Sequence, residues 1–141
     1  MAISGLPPPP ELTDTGFKGW LFRMWSAITT IGYAQGSGGA VTQATSKSTG
    51  VTLNAICGQV TMNAAALVSG AKVTFVVTDS LCAATDIPLP CVASGGVANA
   101  YRVSCTAVAG GSFSLTVENI TAGSLSESPV ISFVIFKAVA A

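Results

Sequence analysis

From residue 41 to residue 137 the apolar residues recur mostly at every second position, and this period of two most restricts what the chain can become. Val73, Phe75 and Val77 share one face of an extended stretch. Tyr101, Val103, Cys105 and Ala107 alternate in the same way, followed by Phe113, Leu115 and Val117. Successive strand side chains point to opposite faces, so such alternation buries one face of a sheet and exposes the other. Candidate strands are 41–45, 50–56, 59–63, 72–79, 87–93, 100–109, 112–119 and 129–137. Gly110 and Gly111 join the sixth and seventh as a short hairpin, because glycine tolerates the positive φ of tight turns. Eight short strands separated by Gly, Ser and Asn predict a mostly β chain, a small β-sandwich or jelly-roll-like domain.

Ahead of this region the period is 3.6. Phe17, Trp20, Leu21, Met24, Trp25, Ile28 and Ile31 fall on one stripe of an amphipathic helix spanning 14–31, with Thr13, Asp14 or Thr15 as its cap. Gly32 ends the helix, and Gly36, Gly38 and Gly39 read as a flexible hinge. Residues 1–12 form an extended leader in which Pro7 to Pro10 favour polyproline II. The chain thus divides into an attachment segment, 1–40, and a β-sandwich knob, 41–141. The helix has two readings, an ordinary helix packed on its own sheet or a docking helix for another protein. Three features favour docking: the helix precedes a glycine stretch, both tryptophans lie on its apolar stripe, and a stiff proline leader comes before it. Aromatic anchors on one helical face are how helix-in-groove recognition works, so Phe17, Trp20, Leu21, Met24, Trp25 and Ile28 are the candidate docking residues. A membrane-surface helix would want basic flanks, which are missing here.

Charge is scarce, six residues of each sign. So small a basic complement speaks against nucleic acid, whose binding rests on phosphate neutralisation by Lys and Arg. With little net charge to oppose association, a surface of this kind is covered by other subunits or by Ser, Thr, Gly and Asn. The apolar runs near 20–31 and 130–141 fall short of the ~20 residues that span a bilayer, so no membrane insertion is expected. Nor does the proline-bearing N-terminus have the basic start of a signal peptide.

Histidine is absent, which removes the commonest general base and metal ligand. Cys57, Cys82, Cys91 and Cys105 match no zinc spacing. They read as small buried hydrophobes, or, as the alternative, Cys82 and Cys91 form a disulfide across the intervening loop. The Gly/Ser/Thr stretch at 36–50 reads as a linker, since it lacks the glycine spacing of a phosphate loop. Ser46–Lys47 could supply Ser-Lys chemistry only with a rigid frame and a further polar partner, and the segment is expected to be flexible. Asp79 and Asp86 read as strand-end or loop residues satisfying backbone donors. Asn119-Ile120-Thr121 fits a glycosylation sequon but reads as a turn after a strand. No catalysis, metal or cofactor is expected.

Three blocks in order, VTQATSKSTGVTLN at 41–54, GQVTMNAAAL at 58–67 and GSLSESPVISFVIFK at 123–137, resemble small bacteriophage virion domains. LPPPP at 6–10 with GFKGWLFRMW at 16–25 is similar to leaders on small structural proteins of short-tailed phages. The cysteines lie outside this pattern. The resemblance implies a non-enzymatic virion part, a homotrimer assembled in the host cytoplasm and displayed on the particle. The first expectation is a short tail or head fibre knob that contacts tail, adaptor or capsid proteins. A capsid decoration (cement) protein and a carbohydrate-binding receptor module are the alternatives.

Overall fold

The computed structural model describes Gly16, Lys18, Gly19, Leu21, Tyr33 and residues 35–139. The chain divides into two compact units, Met1–Gly36 and Ser37–Ala141. In the first, Gly16, Lys18, Gly19 and Leu21 have helical backbone. The rest of the expected helix, the proline leader and the stop at Gly32 lie outside the described residues.

The second unit is built from β1 (Gly38–Thr42), β2 (Val51–Thr52), β3 (Cys57–Thr61), β4 (Lys72–Thr78), β5 (Ile87–Ser94), β6 (Tyr101–Ala109), β7 (Ser112–Asn119) and β8 (Val130–Phe136). They form two four-stranded sheets, ordered β1-β3-β8-β5 (sheet A) and β2-β4-β7-β6 (sheet B). Each sheet has a parallel pair at one edge, β1 with β3 and β2 with β4, and antiparallel neighbours elsewhere. Both sheets are therefore mixed, whereas jelly rolls are antiparallel.

The inner faces share one core. Val60, Ile131, Phe133 and Ile135 of sheet A meet Phe75, Val77, Phe113, Leu115 and Val117 of sheet B in a single buried cluster. Phe113 and Phe133 contact edge to face across the two layers, with centroids 5.1 Å apart and planes at 65°. That geometry sets the positive ring edge against a negative ring face. The expected hairpin forms at Gly110–Gly111, with Gly111 at φ 85°.

Four sequence expectations need correction. Gly38 and Gly39 are strand residues of β1, not a hinge. The small size of Gly39 serves packing, as does that of Gly58 beside it. A Cβ on Gly39 would stand 2.6 Å from Leu53 Cδ1, and one on Gly58 would stand 2.6 Å from Leu53 Cδ2, so the two glycines seat Leu53. The stretch from 36 to 50 is likewise no free linker. Buried Gln43 donates through Nε2 to the carbonyls of Lys47 and Thr49 and accepts from the Asn63 amide through Oε1. Finally, the alternation in β6 breaks at a bulge between Cys105 and Ala107, so Val108 packs against the core and Ala107 is exposed. The expected strand at 50–56 is shortened for a related reason. After β2 the chain leaves sheet B for sheet A, with the Leu53 amide donating to the Thr78 carbonyl and the Ala55 amide turning back to Leu53.

Candidate functional site

Of the six expected docking residues, Leu21 is described and is exposed. Phe17, Trp20, Met24, Trp25 and Ile28 lie outside the described residues. The other candidates of the sequence are absorbed by the fold. Lys47 is buried, and its ammonium donates to the backbone carbonyls of Asn63 and Glu127. Burial lowers its pKa, opposed by the Glu127 carboxylate. The Ser46 hydroxyl instead meets the hydroxyls of Ser48 and Thr49, so the two side chains are committed to separate polar networks. Asp79 accepts the Leu81 amide, and Asp86 accepts the amides of Ala83 and Ala138 and pairs with Lys137. The Ala83 amide first, then Lys137, hold the Asp86 carboxyl below its usual pKa. Asn119 is fully buried; it donates to the carbonyls of Leu67 and Gly123 and accepts from Thr121, which leaves no exposed amide for a glycan.

All four cysteines are free thiols. Cys82 sits in the core while Cys91 is exposed on β5, and the two are not bridged. Burial first, then Asp86 and Asp79, push the Cys82 thiol up, and burial raises Cys105 as well. A thiol kept protonated is a poor nucleophile. Among the described residues no group of three or more Cys, Asp or Glu side chains could hold a metal ion. No helix among them is long and apolar enough to cross a membrane.

What the β unit offers to other molecules is its two outer faces. On sheet B the outward row Lys72–Glu118–Arg102 places one carboxylate between two cations, at 3.8 Å and 3.5 Å. The next row carries hydroxyls. Thr116 Oγ1 lies 2.7 Å from Thr74 Oγ1 and 3.1 Å from Thr106 Oγ1, which the β6 bulge brings alongside. Lys72, Arg102, Ser104, Thr106, Thr116 and Glu118 line a shallow groove of about 180 Å³.

Sheet A presents the opposite chemistry. In register, Gly38, Cys57, Val134 and Leu89 form one outward row, and Ala40, Gln59, Ser132 and Cys91 form the next. Ile87 and Phe136 pair at the end of the strands. No outward residue of these strands is charged. Ile87, Leu89 and Phe136 are each about half exposed, at 52%, 51% and 51%. The inward positions of β5 are Pro88 and Pro90; proline offers no N–H and fits an edge strand.

The sequence reading located β5 and β8 but did not single out the apolar residues on their outward face. The missed signal is the run Val130–Phe136, in which only Ser132 is polar. A strand apolar on both faces leaves apolar side chains on the side turned away from the core, here Val134 and Phe136.

Comparison of the chain with family models, with curated proteins and with solved structures gives no match.

Proposed function

We propose that this chain is a non-enzymatic accessory structural protein of a bacteriophage particle, a β knob that self-assembles and is attached through its N-terminal segment. The observation that carries this reading is the uncharged outer face of sheet A, with Ile87, Leu89 and Phe136 half exposed on a chain of very low charge. A surface of that composition favours burial against protein. The three sequence blocks that resemble virion domains support the choice of particle. The absorption of Lys47, Asp86 and Asn119 into structural hydrogen bonds fits a protein built for assembly.

Attachment falls to Phe17, Trp20, Leu21, Met24, Trp25 and Ile28. Replacing Trp20 and Trp25 together by Ala is expected to leave the β unit folded and to remove the protein from purified particles. Normal incorporation of that double variant contradicts the attachment role. Copy number sets the location: a fibre knob is scarce and leaves the shell intact when deleted, whereas a decoration protein matches the shell subunits in number and its loss weakens the capsid.

A receptor-binding role for saccharides is the second reading, favoured by the hydroxyl-rich groove of sheet B. Saturation-transfer NMR of the full chain with a panel of acidic and neutral glycans tests it. Binding lost on replacing Glu118 by Ala supports it, and no transfer from any glycan removes it.

A further inference from the structure

We infer that the outer face of sheet A is covered by the same face of a second copy of this chain, related by a twofold axis that runs along β3 and β8, in place of the homotrimer that the virion resemblance implies. The inference rests on the reading of this face as an assembly surface, not on the identity of the particle. A partner that brought Lys, Arg, Asp or Glu onto this face would strand a desolvated charge, because nothing outward on these strands could pair with it. The occupant must itself be uncharged and rich in apolar and small residues. Sheet A meets that description and the outer face of sheet B, with Lys72, Arg102 and Glu118, does not.

The face is lopsided, with bulky Ile87 and Leu89 on β5 at one edge and Gly38 and Ala40 on β1 at the other. A half-turn about an axis between β3 and β8 exchanges β1 with β5 and β3 with β8 while keeping the rows aligned. Leu89 of each copy then lies over Gly38 of the other, Cys91 over Ala40, and Cys57 over Val134. Gln59 faces Ser132 across the interface. Within one chain Gln59 Nε2 already donates to Ser132 Oγ at 3.3 Å, so these central polar groups suit each other. Such a contact is isologous and closes on itself. Bulk meets small on both sides, as close packing of two faces demands.

Sheets also associate edge to edge. Strand addition needs free N–H groups along an edge. Pro88 and Pro90 withhold them on β5, so association of that strand is directed to its face. Four strands about 4.8 Å apart and about five residues long cover roughly 300–400 Å² per copy. That is below the ~800 Å² per partner of a standard interface, so the pair is expected to dissociate on dilution.

The test is the mass of the purified full chain by light scattering across a dilution series, for the natural chain, Leu89→Asp and Val76→Asp. Val76 is exposed on the opposite sheet, so its variant makes the same chemical change away from the proposed interface. Circular dichroism melts establish that both variants fold. The natural chain and Val76→Asp are expected to approach twice the 14.1 kDa chain mass on concentration. Leu89→Asp is expected to need about tenfold more protein or greater, because dimerisation would bury an unpaired carboxylate. A natural chain that stays monomeric at every concentration, one that settles at three chain masses, or a dimer equally sensitive to Val76→Asp overturns the inference. Loss of pairing can be seen without any particle, so a failure here is distinct from failure of Trp20/Trp25-dependent incorporation.

Discussion

The two sheets are built on one plan and end in opposite surfaces. Each sets a parallel strand at one edge, and each sends alternate residues into the shared core. Outside, sheet B carries an ion trio and linked threonine hydroxyls, while sheet A carries Ile87, Leu89, Val134 and Phe136 with no charge. The inner faces must match each other, since they form a single close-packed core. The outer faces are released from that constraint and differ accordingly: sheet B turns charges and hydroxyls outward, and sheet A turns out the apolar residues that the proposed pairing would cover.

The largest test asks whether the inner faces act as one body. Phe113 and Phe133 touch across the layers and are both buried. Truncating either to Ala is expected to cost about 3–5 kcal/mol, and the two to be less than additive. Denaturant titration with a double-variant cycle measures this. Full additivity would show that the sheets are separately stabilised, and the comparison would fail at its root.

A smaller effect is expected at the β1–β3 seam. A Cβ on Gly58 would meet Leu53 Cδ2 at 2.6 Å and the Gly39 carbonyl oxygen at 2.9 Å. Gly58→Ala is therefore expected to destabilise by about 1–3 kcal/mol through overpacking. Gly110→Ala at the β6–β7 turn meets nothing within 4 Å and serves as the contrast. Equal melting temperatures for the two variants would mean that Leu53 moves aside freely.

At the end of sheet A, Asp86 ties the 83 turn to Lys137 after β8. Its folded pKa is depressed, so its contribution is present above the unfolded carboxyl value of about 4 and is lost as pH falls through the folded one. Asp86→Asn is expected to lower stability at neutral pH, with the gap to the natural chain closing in acid. A gap independent of pH would assign the loss to packing. Tyr101, the first residue of β6 in sheet B, is pushed up to about 12 by burial and then by Glu127, so that phenol is neutral at physiological pH. The smallest effect belongs to the exposed trio. Glu118→Gln is expected to change stability by less than about 1 kcal/mol and to lose even that in high salt, as measured by thermal melts at two ionic strengths.

The longer strands were legible because alternation survives where one face is buried and the other is wet, whereas β1 was placed three residues late, at 41–45, and β2 was drawn as 50–56 although it keeps two residues. β4 and β7 follow it along their length. Legibility failed where a residue served geometry instead. Gly38 and Gly39 looked like a hinge, yet Gly39 is small to seat Leu53, a contact between residues that no local pattern links. Lys47 looked like part of a mobile polar stretch, but two carbonyls from distant segments hold it in place. The candidate surface on sheet A was hidden by the same rule that revealed the strands. Ile87, Leu89 and Phe136 break the polar half of the alternation, and such a break reads as extra core until the sheet order puts those residues outside.

The central claim is that the charge-free face of sheet A is covered when the protein is at work. Cys91 stands exposed in the second row of that face, and its thiol reports directly on access. Peptide-resolved maleimide labelling of Cys91 at rising protein concentration is expected to slow progressively, while labelling of a cysteine placed at Thr74 on sheet B stays constant. A Cys91 labelling rate that does not change with concentration would contradict the account.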